Sequence, residues 1–129
     1  MVEALKIDNL YVRFGTPQGE VKALNGVSLV QEEGQVFCLV GESGAGKSTL
    51  ALAVMGLLPP SATVGGGSIF FGGVDLLRAG PDYVRRLRGK EISMVFQDAQ
   101  AALNPVQLVG EQLEEVILEH TAVGTRAAN

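Results

Sequence analysis

A glycine-rich stretch that ends in a lysine and two hydroxyl residues is the part of the sequence best suited to chemistry. It runs Gly41-Glu42-Ser43-Gly44-Ala45-Gly46-Lys47-Ser48-Thr49 and fits the pattern G-x-x-x-x-G-K-[ST]. Its glycines allow backbone conformations and close approaches that a Cβ atom would block, so successive N–H groups can converge on an anion. The stretch therefore predicts a cradle for phosphate groups.

The polar side chains of this stretch predict how phosphates and a metal ion would be held. Lys47 can reach the β- and γ-phosphates of a nucleotide, and the Ser48 hydroxyl is placed to bind Mg²⁺. A helix that begins near Lys47 adds the positive end of its dipole. The predicted ligand is a nucleoside triphosphate with Mg²⁺. The residues predicted to contact it are Gly41, Ser43, Gly44, Ala45, Gly46, Lys47, Ser48 and Thr49.

Two other interpretations of these glycines are less favoured. A dinucleotide-binding pattern G-x-G-x-x-G is excluded, because Thr49 stands where the third glycine would be. A chance glycine-rich turn before a buried helix is disfavoured, because the motif also requires a strand before it and a helix after it. The apolar runs over residues 36–40 and 50–55 are predicted to supply those two elements.

The remaining elements are predicted from apolar patterning. The nearly continuous apolar run over 36–40 predicts a central strand covered on both faces. Upstream, residues 5–14 and 21–30 have partial period-two patterning around a turn at 15–19, which predicts an antiparallel pair. Downstream we predict a loop over 59–67, a strand over 68–71, a helix over 80–88, a strand over 92–96, a loop over 99–105 and a helix over 109–120.

The last predicted helix carries an apolar stripe. Val109, Leu113, Val116 and Ile117 fall on one side of it, and its glutamates lie largely on the other side. We expect another surface to cover this stripe, because exposed apolar patches tend to associate.

Composition limits the class of protein. The chain has 129 residues, 47% apolar and 19% charged, which suits one folded domain of ordinary size. Its net charge of −4 argues against general affinity for nucleic acid, so no nucleic-acid partner is expected. The single cysteine, Cys38, cannot form an internal disulfide and has no adjacent base to make it a nucleophile. Because neither a signal peptide nor an apolar run of bilayer length is evident, we expect a cytoplasmic protein.

A polar pair at the end of the strand predicted over 92–96 offers candidates for binding the metal and the attacking water. A hydrolytic site of this type needs an acidic residue after an apolar strand. The best match is Met94-Val95-Phe96-Gln97-Asp98, in which Gln97 interrupts the pattern. Gln97 is the better candidate, because its carbonyl oxygen can bind Mg²⁺ or position water. Asp98 as the metal-holding acid, and Gln97 as an ordinary solvated side chain, stay open as alternatives.

These motifs resemble the nucleotide-binding subunits of ABC transporters, and more narrowly those of peptide (dipeptide/oligopeptide) importers. The resemblance extends from about residue 5 to residue 120. Residues 41–49 resemble the family's Walker A loop, and residues 95–98 resemble its Q-loop. The segments 103–105 and 109–112 are similar to the run that follows the Q-loop in peptide importers, although Ala99 stands where proline is usual.

The resemblance also covers the predicted hairpin. Residues 23–29 are similar to the strand that the family places before its P-loop strand. Phe14 falls where the family has an aromatic residue that stacks on adenine, and Tyr11 is its competitor for that role. Ordinary packing in the sheet is the alternative for Phe14.

The resemblance implies an α/β fold, with a partial P-loop NTPase-type core and an N-terminal antiparallel β subdomain. It implies a partial nucleotide-binding domain over residues 1–120 and a loose tail over 121–129. It implies ATP and Mg²⁺ as cofactors, Lys47 and Gln97 as catalytic residues, and Ser48 and Gln97 as metal ligands. The implied function is ATP binding, and hydrolysis in the complete domain, that energises peptide transport. The implied partners are a second nucleotide-binding domain and transmembrane permease subunits, which would hold the protein at the inner face of the plasma membrane.

Three motifs of the family are not found in this sequence: the LSGGQ signature, the Walker B Asp-Glu pair and the switch histidine. We therefore expect the amino-terminal half of such a domain. The alternative is a truncated, non-catalytic module that binds nucleotide or a partner subunit. A P-loop kinase or small GTPase is disfavoured, because it predicts a lid or base-specific motif that we do not find.

Overall fold

The computed structural model describes residues 2–98 and 102–121, and the chain divides into two compact units over residues 1–85 and 86–129. Of the predicted tail, only Thr121 lies among the described residues, and Ala99 lies outside them. The single domain predicted over 1–120 stays a prediction. The elements are β1 (Glu3–Thr16), β2 (Gly19–Glu32), α1 (Lys47–Met55), β3 (Ala62–Phe71), β4 (Val74–Asp75), α2 (Pro81–Leu87) and α3 (Val109–His120).

An antiparallel sheet with the strand order β2-β1-β3-β4 is the basis of the first unit. β1 and β2 form the predicted hairpin, and each strand is longer than its patterning indicates. At the turn, the Thr16 hydroxyl donates a hydrogen bond of 2.6 Å to the Gly19 carbonyl oxygen. Arg13 and Glu20 form an ion pair of 3.0 Å across the hairpin. The N-terminal antiparallel β subdomain is thus confirmed.

The core of the first unit joins the sheet to α1. Val12 and Leu24 are paired across the hairpin, and both are buried. At the end of α1, Gly56 adopts a left-handed conformation, and its N–H donates to the Ala53 carbonyl oxygen at 3.1 Å. The buried apolar residues are Ile7, Leu10, Val12, Leu24, Leu50, Ala53, Met55, Ile69, Leu76 and Val84.

The predicted loop over 59–67 is wrong from Ala62 onward. Residues 62–67 belong to β3 and pair with β1, so the strand predicted over 68–71 is only the second half of a longer one. Gly67 has a φ of +96°, and a Cβ there would lie 2.6 Å from the Leu10 Cα atom. The glycines that suggest a loop therefore allow a close approach between two strands, and pairing with β1 overrides the local preference.

The strands predicted over 36–40 and 92–96 are also wrong. Residues 36–40 have no regular secondary structure, and Val36 is 99% exposed. In the second unit, Ile92 makes an isolated bridge to Arg88, while Val95 is 93% exposed. An apolar strand of this kind requires hydrogen-bonding neighbours and cover on both faces, and the described residues supply neither to these segments.

Both predicted helices after the sheet are confirmed. α2 spans Pro81–Leu87 and buries Val84, and α3 begins and ends where predicted. The Leu108 N–H donates to the Glu111 carboxylate at 3.3 Å, which satisfies one N–H group near the start of α3. No helix in the described ranges is long and apolar enough to cross a membrane.

Candidate nucleotide-binding site

The candidate site is the loop that leads into α1. Gly44 and Gly46 have φ angles of 82° and 89°, in the left-handed region that favours glycine. A Cβ on Gly44 would meet nothing within 4 Å, so this glycine is required for its backbone conformation and not for lack of space. Residues 44–49 and Ala23 line a cavity of about 150 Å³ at this loop.

The start of α1 presents unused N–H groups to this cavity. The first hydrogen bond of the helix runs from the Leu50 N–H to the Gly46 carbonyl oxygen at 2.9 Å. The N–H groups of the residues between them lack intrahelical partners, as at the start of every α-helix. Lys47, Ser48 and Thr49, which carry these groups, all line the cavity. Together with the positive end of the helix dipole, this arrangement favours an anion.

The Lys47 side chain is hydrogen-bonded to the loop, whereas the Ser48 side chain is exposed. Lys47 Nζ donates to the carbonyl oxygens of Gly41 and Glu42 at 2.7 and 2.6 Å, so the loop itself holds the ammonium group. The ammonium group has three N–H donors, so one remains for an incoming phosphate while the other two hold these carbonyls. Ser48 is exposed at the cavity wall, where its hydroxyl is accessible to a ligand.

The hairpin forms the other wall of the cavity, which the sequence patterning did not predict. A Cβ on Gly46 would lie 2.6 Å from the Ala23 carbonyl oxygen and 2.9 Å from Leu24 Cδ2. Gly46 is therefore needed both for its φ angle and because β2 lies directly against it. The only sequence signal for Ala23 was that it opens the run 23–29 that is similar to the family strand.

Register within the sheet distinguishes the two aromatic candidates. Phe14 is half-buried and lies two residues after the buried Val12, so the two side chains share the core face. Cβ atoms on Gly65 and Gly26 would lie 3.6 Å from Tyr11 Cβ and 3.0 Å from its hydroxyl oxygen. Because successive side chains of a strand point to opposite faces, Tyr11, which directly precedes the buried Val12, lies on the opposite face of β1. Val12 pairs with Leu24, which contacts the loop at Gly46, so the core face of β1 is the one nearer to the loop. Phe14 is not among the residues that line the cavity, and its contact with adenine stays a prediction.

Gln97 belongs to the second unit, so the structure does not test its predicted place beside the loop. It is exposed and follows a segment without regular strand structure. The described residues contain no group of three or more His, Cys, Asp or Glu side chains that could hold a metal ion. The exposed Ser48 hydroxyl fits Mg²⁺ nonetheless, because Mg²⁺ takes few ligands from the protein and its other ligands from phosphates and water.

Comparison with known proteins identifies the family of this chain. The model of the ABC transporter family matches residues 24–128. The chain belongs to the ABC transporter family. The predicted α/β fold class is also confirmed, because two solved structures of an ABC transporter cassette have the fold of this chain. The ATP-binding cassette MJ0796, in its dimeric structure, has a TM-score of 0.80 at 23% identity over 96% of this chain and 52% of that one. A post-hydrolysis dimer of the same cassette bound to ADP and Pi gives a TM-score of 0.78 at 22% identity, over 96% of this chain and 53% of that one.

Relatives within the ABC transporter family confirm the narrower resemblance to peptide importers. The dipeptide transport ATP-binding protein DppD of Bacillus subtilis is 46% identical over 129 residues, which are 99% of this chain and 38% of DppD. The oligopeptide transport ATP-binding protein OppD of Escherichia coli is 43% identical over 116 residues, 90% of this chain and 34% of OppD. The chain thus spans less than two fifths of the length of either relative.

Proposed function

We propose that this chain binds ATP with Mg²⁺ and serves as part of the ATP-binding component that energises peptide-type ABC transport. The observation that carries the proposal is the cavity at the start of α1, where unused helix N–H groups, Lys47 and the Ser48 hydroxyl meet. The hydrogen-bond donors of this cavity suit a chain of phosphates. The relatives of the chain are named as ATP-binding proteins of peptide transport.

Each residue of the site has a proposed role. The backbone N–H groups of residues 44–49 would hold the phosphates, and Gly41 and Ser43 would shape the loop around them. Lys47 would donate its remaining N–H group to the β- and γ-phosphates. Phe14 would stack on adenine from the core face of β1.

The proposed metal contacts are few. Ser48 and Gln97 would be the protein ligands of Mg²⁺, each through a neutral oxygen. When bound, the ion would neutralise charge on the phosphate oxygens. The Ser48 hydroxyl is exposed at the cavity, which makes it accessible to a metal ion.

Hydrolysis and transport are proposed for the complete assembly. Two nucleotide-binding domains would close on ATP, and permease subunits would hold them at the inner face of the plasma membrane, where the chain would be a cytoplasmic, peripheral component. The sequence contains no Asp-Glu pair of the kind that binds the metal and activates water in this family. We therefore expect this chain alone to bind MgATP without turning it over.

The test is thermal unfolding of the chain with and without millimolar MgATP. A ligand that binds only the folded state at a hundredfold excess over its Kd adds about 2.7 kcal/mol of stability, so Tm rises. Lys47→Ala should abolish the rise, and Lys90→Ala, which removes an exposed lysine of the second unit, should retain it. A rise that survives in Lys47→Ala would contradict the proposed site. ATPase activity of the pure chain that disappears in Lys47→Ala would contradict the expected lack of turnover.

A second candidate function is a non-catalytic module that binds a partner subunit. It is favoured by the apolar stripe of α3, where Val109, Leu113 and Val116 are 56%, 62% and 58% exposed. A surface of this kind tends to associate. Sedimentation over a range of concentrations tests it, since a monomer at the highest concentration would remove the reason to expect self-association.

A further inference from the structure

The hairpin and the phosphate-binding loop meet at Gly46. The Leu24 side chain is only 4% exposed, and its Cδ2 atom would lie 2.9 Å from a Cβ on Gly46. Behind Leu24, the fully buried Val12 is its partner across the hairpin. Leu24 is thus held on one side by the core and rests on the other side against the residue that precedes α1.

A β-bulge gives this contact its geometry. Val12 pairs with Leu24, but the next residue, Arg13, pairs with Lys22, so Ala23 is an extra residue in β2. A bulge of this type breaks the alternation of a strand and re-aims the groups beside it. Here the Ala23 carbonyl oxygen and the Leu24 side chain are the two groups closest to the Cβ position of Gly46. The irregularity in β2 therefore forms the surface on which the end of the loop lies.

We infer that Leu24 is a positioning residue for phosphate binding: by packing on Gly46 it fixes the start of α1 against the sheet. The inference rests on the proposed function, because it concerns the same site. Leu24 does not line the cavity, so it acts through Gly46 on the N–H groups of Lys47 and Ser48. Removal of its side chain would leave a void beneath Gly46, into which the loop can shift.

The affinity for MgATP, measured by titration calorimetry well below the Tm of each variant, tests the inference. A loop that is no longer held in its binding conformation must be ordered when the ligand binds, and we therefore expect Leu24→Ala to weaken binding about tenfold. The matched control is Ile69→Ala, which removes a fully buried side chain from β3 of the same sheet. Both variants should lower the Tm without ligand, but Ile69→Ala should keep the affinity of the unaltered chain. Leu24→Met, which again fills the space, should restore it.

The outcomes separate this inference from the proposed function. No binding by the unaltered chain overturns the proposed function and this inference with it. Binding by the unaltered chain that Leu24→Ala retains overturns the inference alone, as does an equal loss of affinity in Ile69→Ala. If the alanine variants do not fold, the milder pair Leu24→Val and Ile69→Val decides in the same way, since only the change at Leu24 should weaken binding.

Discussion

The paired strands of the sheet and the apolar segment over residues 36–40, which precedes the glycine-rich loop at residues 41–46, have similar composition but different structures. β1 pairs on both sides, with β2 and β3, and buries Ile7, Leu10 and Val12. Residues 36–40 are as apolar as any part of β1, yet Val36 and Val40 are 99% and 82% exposed. The difference lies in partners, because a strand is stabilised by hydrogen bonds and side-chain pairs to its neighbours and not by its own apolar content.

The contrast also separates local from non-local pairing. β1 and β2 adjoin in sequence and meet through a turn at residues 17–18, so their pairing has a low entropic cost. A central strand of a parallel sheet pairs with strands that are distant in sequence. The glycine-rich loop at residues 41–46 lies between these cases: the residue before its helix, Gly46, packs on the hairpin, while the segment before the loop has no regular structure.

Amide hydrogen exchange should show the largest difference between the two regions. We expect the paired amides of β1 to exchange only through openings close to global unfolding, and amides of residues 36–40 to exchange almost freely. Within the part of the chain that the structure describes, the N–H groups of residues 36–40 donate no backbone hydrogen bond. Exchange followed by mass spectrometry or NMR measures both in one sample. Strong protection over 36–40 would show that this segment has partners, and the contrast would fail.

Truncation of one side chain in each region should give the second-largest difference, which is a difference in the free energy of unfolding. Ile69→Ala should lower the free energy of unfolding by about 2–5 kcal/mol, because it removes a fully buried side chain. Val36→Ala should change it by less than about 0.5 kcal/mol, because Val36 is 99% exposed. Denaturant unfolding of both variants tests this. Equal losses would mean that Val36 contributes to a core after all.

Two glycine substitutions test how closely β3 packs on β1, with a smaller expected effect on the free energy of unfolding. Gly67 and Gly73 have φ angles of +96° and +80°, so alanine is strained at either position, by about 1–2 kcal/mol. A Cβ on Gly73 meets nothing within 4 Å, whereas one on Gly67 would lie 2.6 Å from Leu10 Cα. Gly67→Ala should therefore cost about 1–3 kcal/mol more than Gly73→Ala in the same unfolding experiment. If the costs are equal, β3 does not press on β1 as closely as described.

Much of the candidate site can be predicted from the sequence because its determinants are local. The spacing of Gly41, Gly46 and Lys47 predicts a phosphate cradle before a helix, and α1 does begin at Lys47. The hairpin and α3 follow from periods of 2 and 3.6 residues, which side-chain geometry imposes within each element. The family resemblance, carried by the same motifs, is confirmed for the chain.

The tertiary structure alone decided the features that depend on contacts between distant residues. The loop predicted over 59–67 became half of β3 because β1 offered it hydrogen-bond partners, and glycine allowed the approach at Gly67. Residues 36–40 stayed without strand structure because apolar character does not by itself provide a neighbour. The contact of Ala23 and Leu24 with Gly46 joins positions more than twenty residues apart through a β-bulge, and no local pattern encodes such a contact.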